Sequence, residues 1–153
     1  MPPSRPVGRT PGRDHRKVNK LLGKSSIGIG PDLGKSSNAL FLNIPDSIAK
    51  RRINSVVNYG HIGAVVTLCV EILKAKVVPP EKIGILTPYD GQYRVSLAEL
   101  GKLHGRNRNL GLDQVMVRRI DAFQGREKEV IILDLTVSAR IGFLSLPNRS
   151  TWA

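Results

Sequence analysis

The sequence predicts an α/β fold: a parallel sheet flanked by helices, behind a disordered basic N-terminal tail. Three observations carry that prediction. Short apolar runs at 83–86, 115–120 and 130–136 alternate with stretches of helical period, as buried parallel strands joined by crossover helices do. A polar run, Asp121-Ala122-Phe123-Gln124-Gly125-Arg126-Glu127, sits between two of these strands, where such folds present polar groups at the sheet edge. Residues 1–37 are rich in Pro, Gly, Ser, Lys and Arg without an apolar period, and such a segment buries too little surface to offset its ordering entropy.

The ordered part is expected to span 38–153. Ala39 to Ile44 reads as a first strand stopped by Pro45. Ile62, Val65, Val66, Cys69, Val70 and Leu73 recur at helical spacing and give a helix of about three turns. Pro79-Pro80 closes the next connection, and Ile83 to Leu86 forms a buried strand. Thr87 suits an N-cap, Pro88 the first helical position and Asp90 the acidic first turn of a second helix. That helix is expected to reach His104 and stop at Gly105. Arg106 to Gly111 reads as a basic loop, and Val115 to Ile120 and Val130 to Thr136 complete the strands.

The length of 153 residues suits one domain with a tail. No apolar run approaches the ~20 residues of a membrane helix, and no apolar signal region opens the chain. The single cysteine, Cys69, excludes an internal disulfide and favours a reducing compartment, cytoplasmic or nuclear. The net charge is +12, and the first sixty residues hold 11 Lys/Arg against 3 Asp/Glu. Such a balance favours polyanionic partners, RNA or DNA among them, with a merely solvated tail as the bland alternative.

Two copies of Gly-Lys-Ser-Ser, at 23–26 and 34–37, resemble the end of a phosphate-binding loop. The required first glycine falls on Val18 for one and Ile29 for the other, so the spacing fails. His61 and His104 stand apart from any Cys, Asp or Glu at metal-ligand spacing and read as surface or helix-end residues. Cys69 falls in an apolar stripe and reads as core. Arg106, Arg108, Arg118 and Arg119 are candidate phosphate contacts. Gly125 offers a close approach to a ligand, and Gln124 and Glu127 supply an amide and a carboxylate.

Taken together, Ile83 to Gln92, Ile120 to Leu133 and Ile141 to Leu144 resemble, in order, the second RecA-like domain of superfamily 1 helicases. The type is that of the nonsense-mediated-decay and DNA-replication helicase–nuclease enzymes, over roughly Ser55 to Arg149. The resemblance implies an ATP- and Mg²⁺-dependent parent acting on single-stranded RNA or DNA. It implies nucleotide-binding roles for Gln124, Gly125, Arg126 and Glu127, with Glu127 on the ribose and Gln124 near the phosphates. Thr87, Pro88, Tyr89, Gln92 and Arg119 are implied on the nucleic-acid side. No metal ligand and no complete catalytic set is implied in this chain.

The departures shape the expectation. Members place Thr or Ser where this chain has Arg119, and many place Glu where it has His61. The first RecA-like domain, with its phosphate loop and acidic metal-binding motif, has no counterpart here. Gln92-Tyr93-Arg94 echoes a family motif in the wrong place. After Arg149 the family continues into motif VI and its arginine finger, whereas this chain closes with Ser150-Thr151-Trp152-Ala153. A truncated helicase domain without ATPase activity or cofactor of its own is therefore expected, and pairing with a separately encoded first RecA-like domain in trans is a third, structural possibility that the apolar–polar pattern does not address. The alternative is a non-catalytic basic nucleic-acid-binding module. A sheet edge left open by truncation is expected to favour aggregation.

Overall fold

The computed structural model describes residues 42–44 and 46–137. The expected tail at 1–37, most of the strand expected at 39–44 and the Ile141 to Arg149 segment lie outside the described residues. Among the described residues, five strands and two α-helices follow in order. They are β1 (Lys50–Arg52), β2 (Ser55–Val57), α1 (Tyr59–Lys74), β3 (Ile83–Thr87), α2 (Asp90–Arg106), β4 (Met116–Arg119) and β5 (Val130–Leu133). β4, β3 and β5 form a parallel sheet in that spatial order, and β1 and β2 form a separate antiparallel hairpin.

Period-two alternation divides the parallel sheet into two faces. Ile83 and Ile85 of β3, Val117 of β4 and the half-buried Val130 and Ile132 of β5 join one apolar cluster with both helices. α1 contributes Ile62, Val65, Val66, Leu68, Cys69, Ile72 and Leu73, and α2 contributes Leu100. Gly84, Leu86, Ile131 and Leu133 belong to the opposite face. There a Cβ on Gly84 would lie 3.2 Å from Lys128 Cγ and 3.1 Å from Met116 Cε, so glycine makes room for two long side chains. Ile131 and Leu133 remain about half exposed.

The predicted helices and the three parallel strands are present, and several ends differ. Leu42 to Ile44 are not strand. Their backbone turns instead at Asp46 (φ 63°), and Ser47 Oγ donates to the carbonyl of Ile44 at 3.0 Å. Thr87 does not cap α2. It is the last residue of β3, and the N-cap position belongs to Tyr89, which makes no side-chain capping bond. Gly105 does not stop α2 either. The helix continues through Arg106 and ends at Asn107, whose backbone N–H donates to the carbonyls of Leu103 and His104. The chain reverses at Gly111, with φ at 68° and Pro80 Cγ only 2.8 Å from where a Cβ would sit. β5 ends at Leu133, short of the expected Thr136, because Asp134 and Thr136 turn to polar bonding.

The hairpin was not foreseen. It docks on α2 through Gly91, whose N–H donates to Ser55 Oγ at 2.8 Å. A Cβ at Gly91 would fall 2.9 Å from both Ser55 Oγ and the Cγ2 of buried Val57. Gly91→Ala is therefore expected to push the hairpin off the helix and cost about 1–3 kcal/mol, read as a lowered denaturation midpoint.

Cys69 is fully buried in the core, and that burial pushes its thiol up from 9.0 to about 12. Two consequences follow. The native thiol should react with an alkylating reagent only when the protein opens. An unfolded chain loses this proton near pH 9 while the folded one keeps it, so this contribution to stability is complete below pH 9 and is lost as pH rises toward 12. Cys69→Ala should show a shallower alkaline loss of stability than the parent, measured by denaturant titration at pH 8 and pH 10.

Candidate functional site

The carboxyl ends of the parallel strands carry a buried polar junction. β2 runs into Asn58, β3 ends at Thr87, α2 opens before Gln92, and β5 leads to Asp134 and Thr136. Asn58, Thr87, Gln92 and Thr136 are wholly buried and Asp134 nearly so. Buried polar groups without partners are costly, so each must be satisfied within the protein.

The bonding does this in a closed pattern. Gln92 Oε1 accepts from the Asn58 backbone N–H at 2.8 Å, while Gln92 Nε2 donates to the Asn58 carbonyl at 3.2 Å and to Asp134 Oδ2 at 2.6 Å. Asp134 Oδ1 accepts from the Thr136 N–H at 2.9 Å and faces His61 Nδ1 at 3.0 Å. Asn58 Nδ2 donates to the Thr136 carbonyl and to Ser47 Oγ, and its Oδ1 accepts the His61 N–H as the N-cap of α1. Thr87 and Thr136 share a hydroxyl bond at 3.1 Å. The Asp134 N–H donates to the Leu86 carbonyl, which extends the β3–β5 ladder by one bond.

His61 is thus no isolated surface histidine; it is an inward-facing partner of Asp134, its side chain 14% exposed. His104 Nδ1 lies 3.4 Å from Asp113 Oδ1, an ion pair only when the ring is protonated. The residues are 73 apart in the first case and 9 in the second, and neither spacing announces a contact.

The sequence-predicted site residues fall into four settings. Thr87 and Gln92 lie inside the junction and leave no side-chain surface for a strand to touch. Pro88 and Tyr89, between those two in the chain, are partly exposed. Arg119, at the end of β4, pairs in register with Thr87 across the sheet and is exposed. Its Nη2 donates to Asp121 Oδ2 at 3.0 Å, so a bound anion competes with that carboxylate. Arg118 is partly buried and donates to the Val117 carbonyl.

Gln124, Gly125, Arg126 and Glu127 are all exposed, on a loop that leaves the carboxyl edge after β4 and returns to the amino edge. Lys128 Nζ on the Glu81 carbonyl and the Glu129 N–H on the Lys82 carbonyl pin its return. Gly125 has φ 73°, and nothing lies within 4 Å of where a Cβ would be. Backbone conformation, not crowding, is what calls for glycine there, and the open space around it fits approach by an external group. Among the described residues no cluster of three His, Cys, Asp or Glu side chains is arranged to hold a metal, and no helix is long and apolar enough to cross a membrane.

A parallel sheet flanked by helices, with polar residues gathered at its carboxyl edge, defines a RecA-like α/β domain. The chain belongs to the AAA domain family, whose model it matches over residues 24–152, and within that family it is a superfamily 1 helicase domain of the nonsense-mediated-decay type. It is 37% identical over 98 residues to a Regulator of nonsense transcripts 1 homolog of Drosophila melanogaster, covering 62% of this chain and 8% of that protein. It is 44% identical over 75 residues to the ATP-dependent helicase upf1 of Schizosaccharomyces pombe, covering 47% and 8%. It is 37% identical over 100 residues to the DNA polymerase alpha-associated DNA helicase A of Saccharomyces cerevisiae, covering 63% and 14%. The chain thus matches about a tenth of the length of these relatives. ATP and Mg²⁺ are the cofactors that the family implies.

Asp134→Ala would strip the acceptor from Gln92, His61 and the Thr136 N–H together. The expected cost is about 3 kcal/mol, with a smaller loss for Asp134→Asn, which keeps one acceptor oxygen. Chemical denaturation of the three proteins at pH 7 tests the order.

Proposed function

We propose that this chain supplies the second RecA-like lobe of an ATP-dependent helicase, with a single strand of RNA or DNA passing its carboxyl edge. The observation that carries the reading is the buried junction flanking Pro88 and Tyr89. It rigidly fixes the strand ends and the start of α2, the part of an open α/β sheet where ligands bind. Thr87 and Gln92 act as positioning residues, and Pro88, Tyr89 and Arg119 meet the strand. Gln124 to Glu127 form one wall of a nucleotide site, with Glu127 toward the ribose and the left-handed Gly125 permitting close approach.

ATP hydrolysis requires groups that position the phosphates, hold Mg²⁺ and neutralise developing charge. The residues of the candidate site supply none of these, and the Gly-Lys-Ser-Ser copies fail the spacing of a phosphate loop. A first RecA-like lobe completes the nucleotide site in this reading, and the chain alone binds without turnover. The net charge of +12 supports a second reading, a basic module that holds nucleic acid without any ATP cycle.

Arg119→Ala in the full chain should weaken binding to a labelled single-stranded oligonucleotide and flatten the log K against log salt slope by about 0.7, one phosphate contact. Asp121→Asn should strengthen binding by freeing Arg119. An unchanged slope in Arg119→Ala would remove the carboxyl-edge path, and strand-stimulated ATP turnover by pure protein would remove the claim of no autonomous activity.

A further inference from the structure

The β1–β2 hairpin carries charge that the fold does not use. Lys50, Arg51 and Arg52 are three consecutive cations, all exposed. None of them enters an ion pair among the described residues, whereas Arg94, Lys102, Lys82 and Arg119 are each paired with a carboxylate.

Register says where the charge points. Lys50 lies opposite Val57 and Arg52 opposite Ser55, and directly opposed residues of an antiparallel pair share a face. Ser55 and Val57 are the residues that meet Gly91 at the start of α2. Lys50 and Arg52 therefore line the hairpin face that leads to Pro88 and Tyr89. Arg52 Nη2 donates to Tyr59 Oη at 3.1 Å, and the Tyr59 ring is about half exposed beside it. At the tip, Ile53 is 95% exposed, next to Asn54 in the left-handed conformation.

We propose that this hairpin is a second contact element for single-stranded nucleic acid, with Lys50 and Arg52 on phosphates, Arg51 on the opposite face adding only to the positive field, and Ile53 and Tyr59 against bases. The proposal rests on the carboxyl-edge strand path described above and extends it onto β1. A bare charged edge strand would serve only to prevent edge-to-edge pairing. That role leaves unexplained why a large aliphatic side chain is held in water at the tip and a tyrosine beside it. Cations for a backbone interleaved with an apolar and an aromatic surface for base faces match single strands. An acidic protein surface would use the cations and leave Ile53 and Tyr59 without a role.

The test is anisotropy of a labelled single-stranded oligonucleotide with the full chain across a salt series. Changing Lys50, Arg51 and Arg52 together to Ala should weaken binding on the order of ten- to a hundredfold near 0.1 M salt and flatten the salt slope by about 1.4, two phosphate contacts. Ile53→Ser, at a site too exposed to affect folding, should weaken binding several-fold and leave the slope unchanged. If the triple variant binds like the parent while Arg119→Ala still weakens binding, the hairpin proposal is overturned and the carboxyl-edge path stands. If only the hairpin variants weaken binding, the hairpin contact is upheld and the carboxyl-edge path falls. Displacement by polyglutamate as effective as by unlabelled oligonucleotide would reassign the hairpin to acidic protein and overturn the proposal.

Discussion

The bonds that Gln92 makes to Asn58 and Asp134 are the constraint on which the rest of the edge depends. Gln92 grips the Asn58 main chain with both ends of its amide and reaches Asp134 with the same nitrogen. The starts of α1 and α2 and the exit of β5 are thereby tied to one side chain. A half-satisfied buried network would be worse than an apolar core, because each stranded donor or acceptor retains its desolvation penalty. Here the partners close on one another, so the geometry is specified and not merely allowed. The Asp134 carboxylate faces His61 as its one ionisable partner in that network, and replacing either alone leaves the other buried without its match.

A division of labour follows between what is rigid and what is presented. Thr87 and Gln92 belong by their letters to the segment expected to touch nucleic acid, yet both are fully buried. Their contribution is to hold the main chain of Pro88 and Tyr89 in place from either side. On the other side of β3, Arg119 projects into solvent with Asp121 as its local counter-charge. The loop beyond it needs a glycine because its backbone takes φ 73° at Gly125, where the space is open. The polar motif segments here therefore mix exposed residues such as Arg119 with buried ones such as Thr87 and Gln92 that only shape the surface.

The apolar runs made α1 and the three parallel strands legible, since Ile83 to Thr87 is buried throughout and the α1 stripe recurs at helical spacing, while α2 was legible from the Pro88 and Asp90 start signals. The order of motifs made the family legible. The hairpin was not, because three-residue strands reading Lys-Arg-Arg and Ser-Val-Val show no alternation. Thr87 passed for an N-cap because its hydroxyl suits that role locally, and only the fold reveals that Thr136 claims it. Asp134 lay within the strand expected over Val130 to Thr136, and nothing in that reading singled it out. Its partners Gln92 and His61 lie 42 and 73 residues away, and no local pattern encodes a contact at that range.

The ion pairs also explain where a net charge of +12 can act. Arg94 with Asp90 and Lys102 with Glu99 neutralise one another along α2, at one turn's separation, and such exposed pairs contribute little to stability. They also leave little field beyond the surface. Among the described residues Lys50, Arg51 and Arg52 have no such partner, and like charges held close together in one short strand repel one another. Stability does not account for that run. A partner that brings its own negative charge does, because the repulsion that the hairpin tolerates when free becomes attraction when phosphates lie along it.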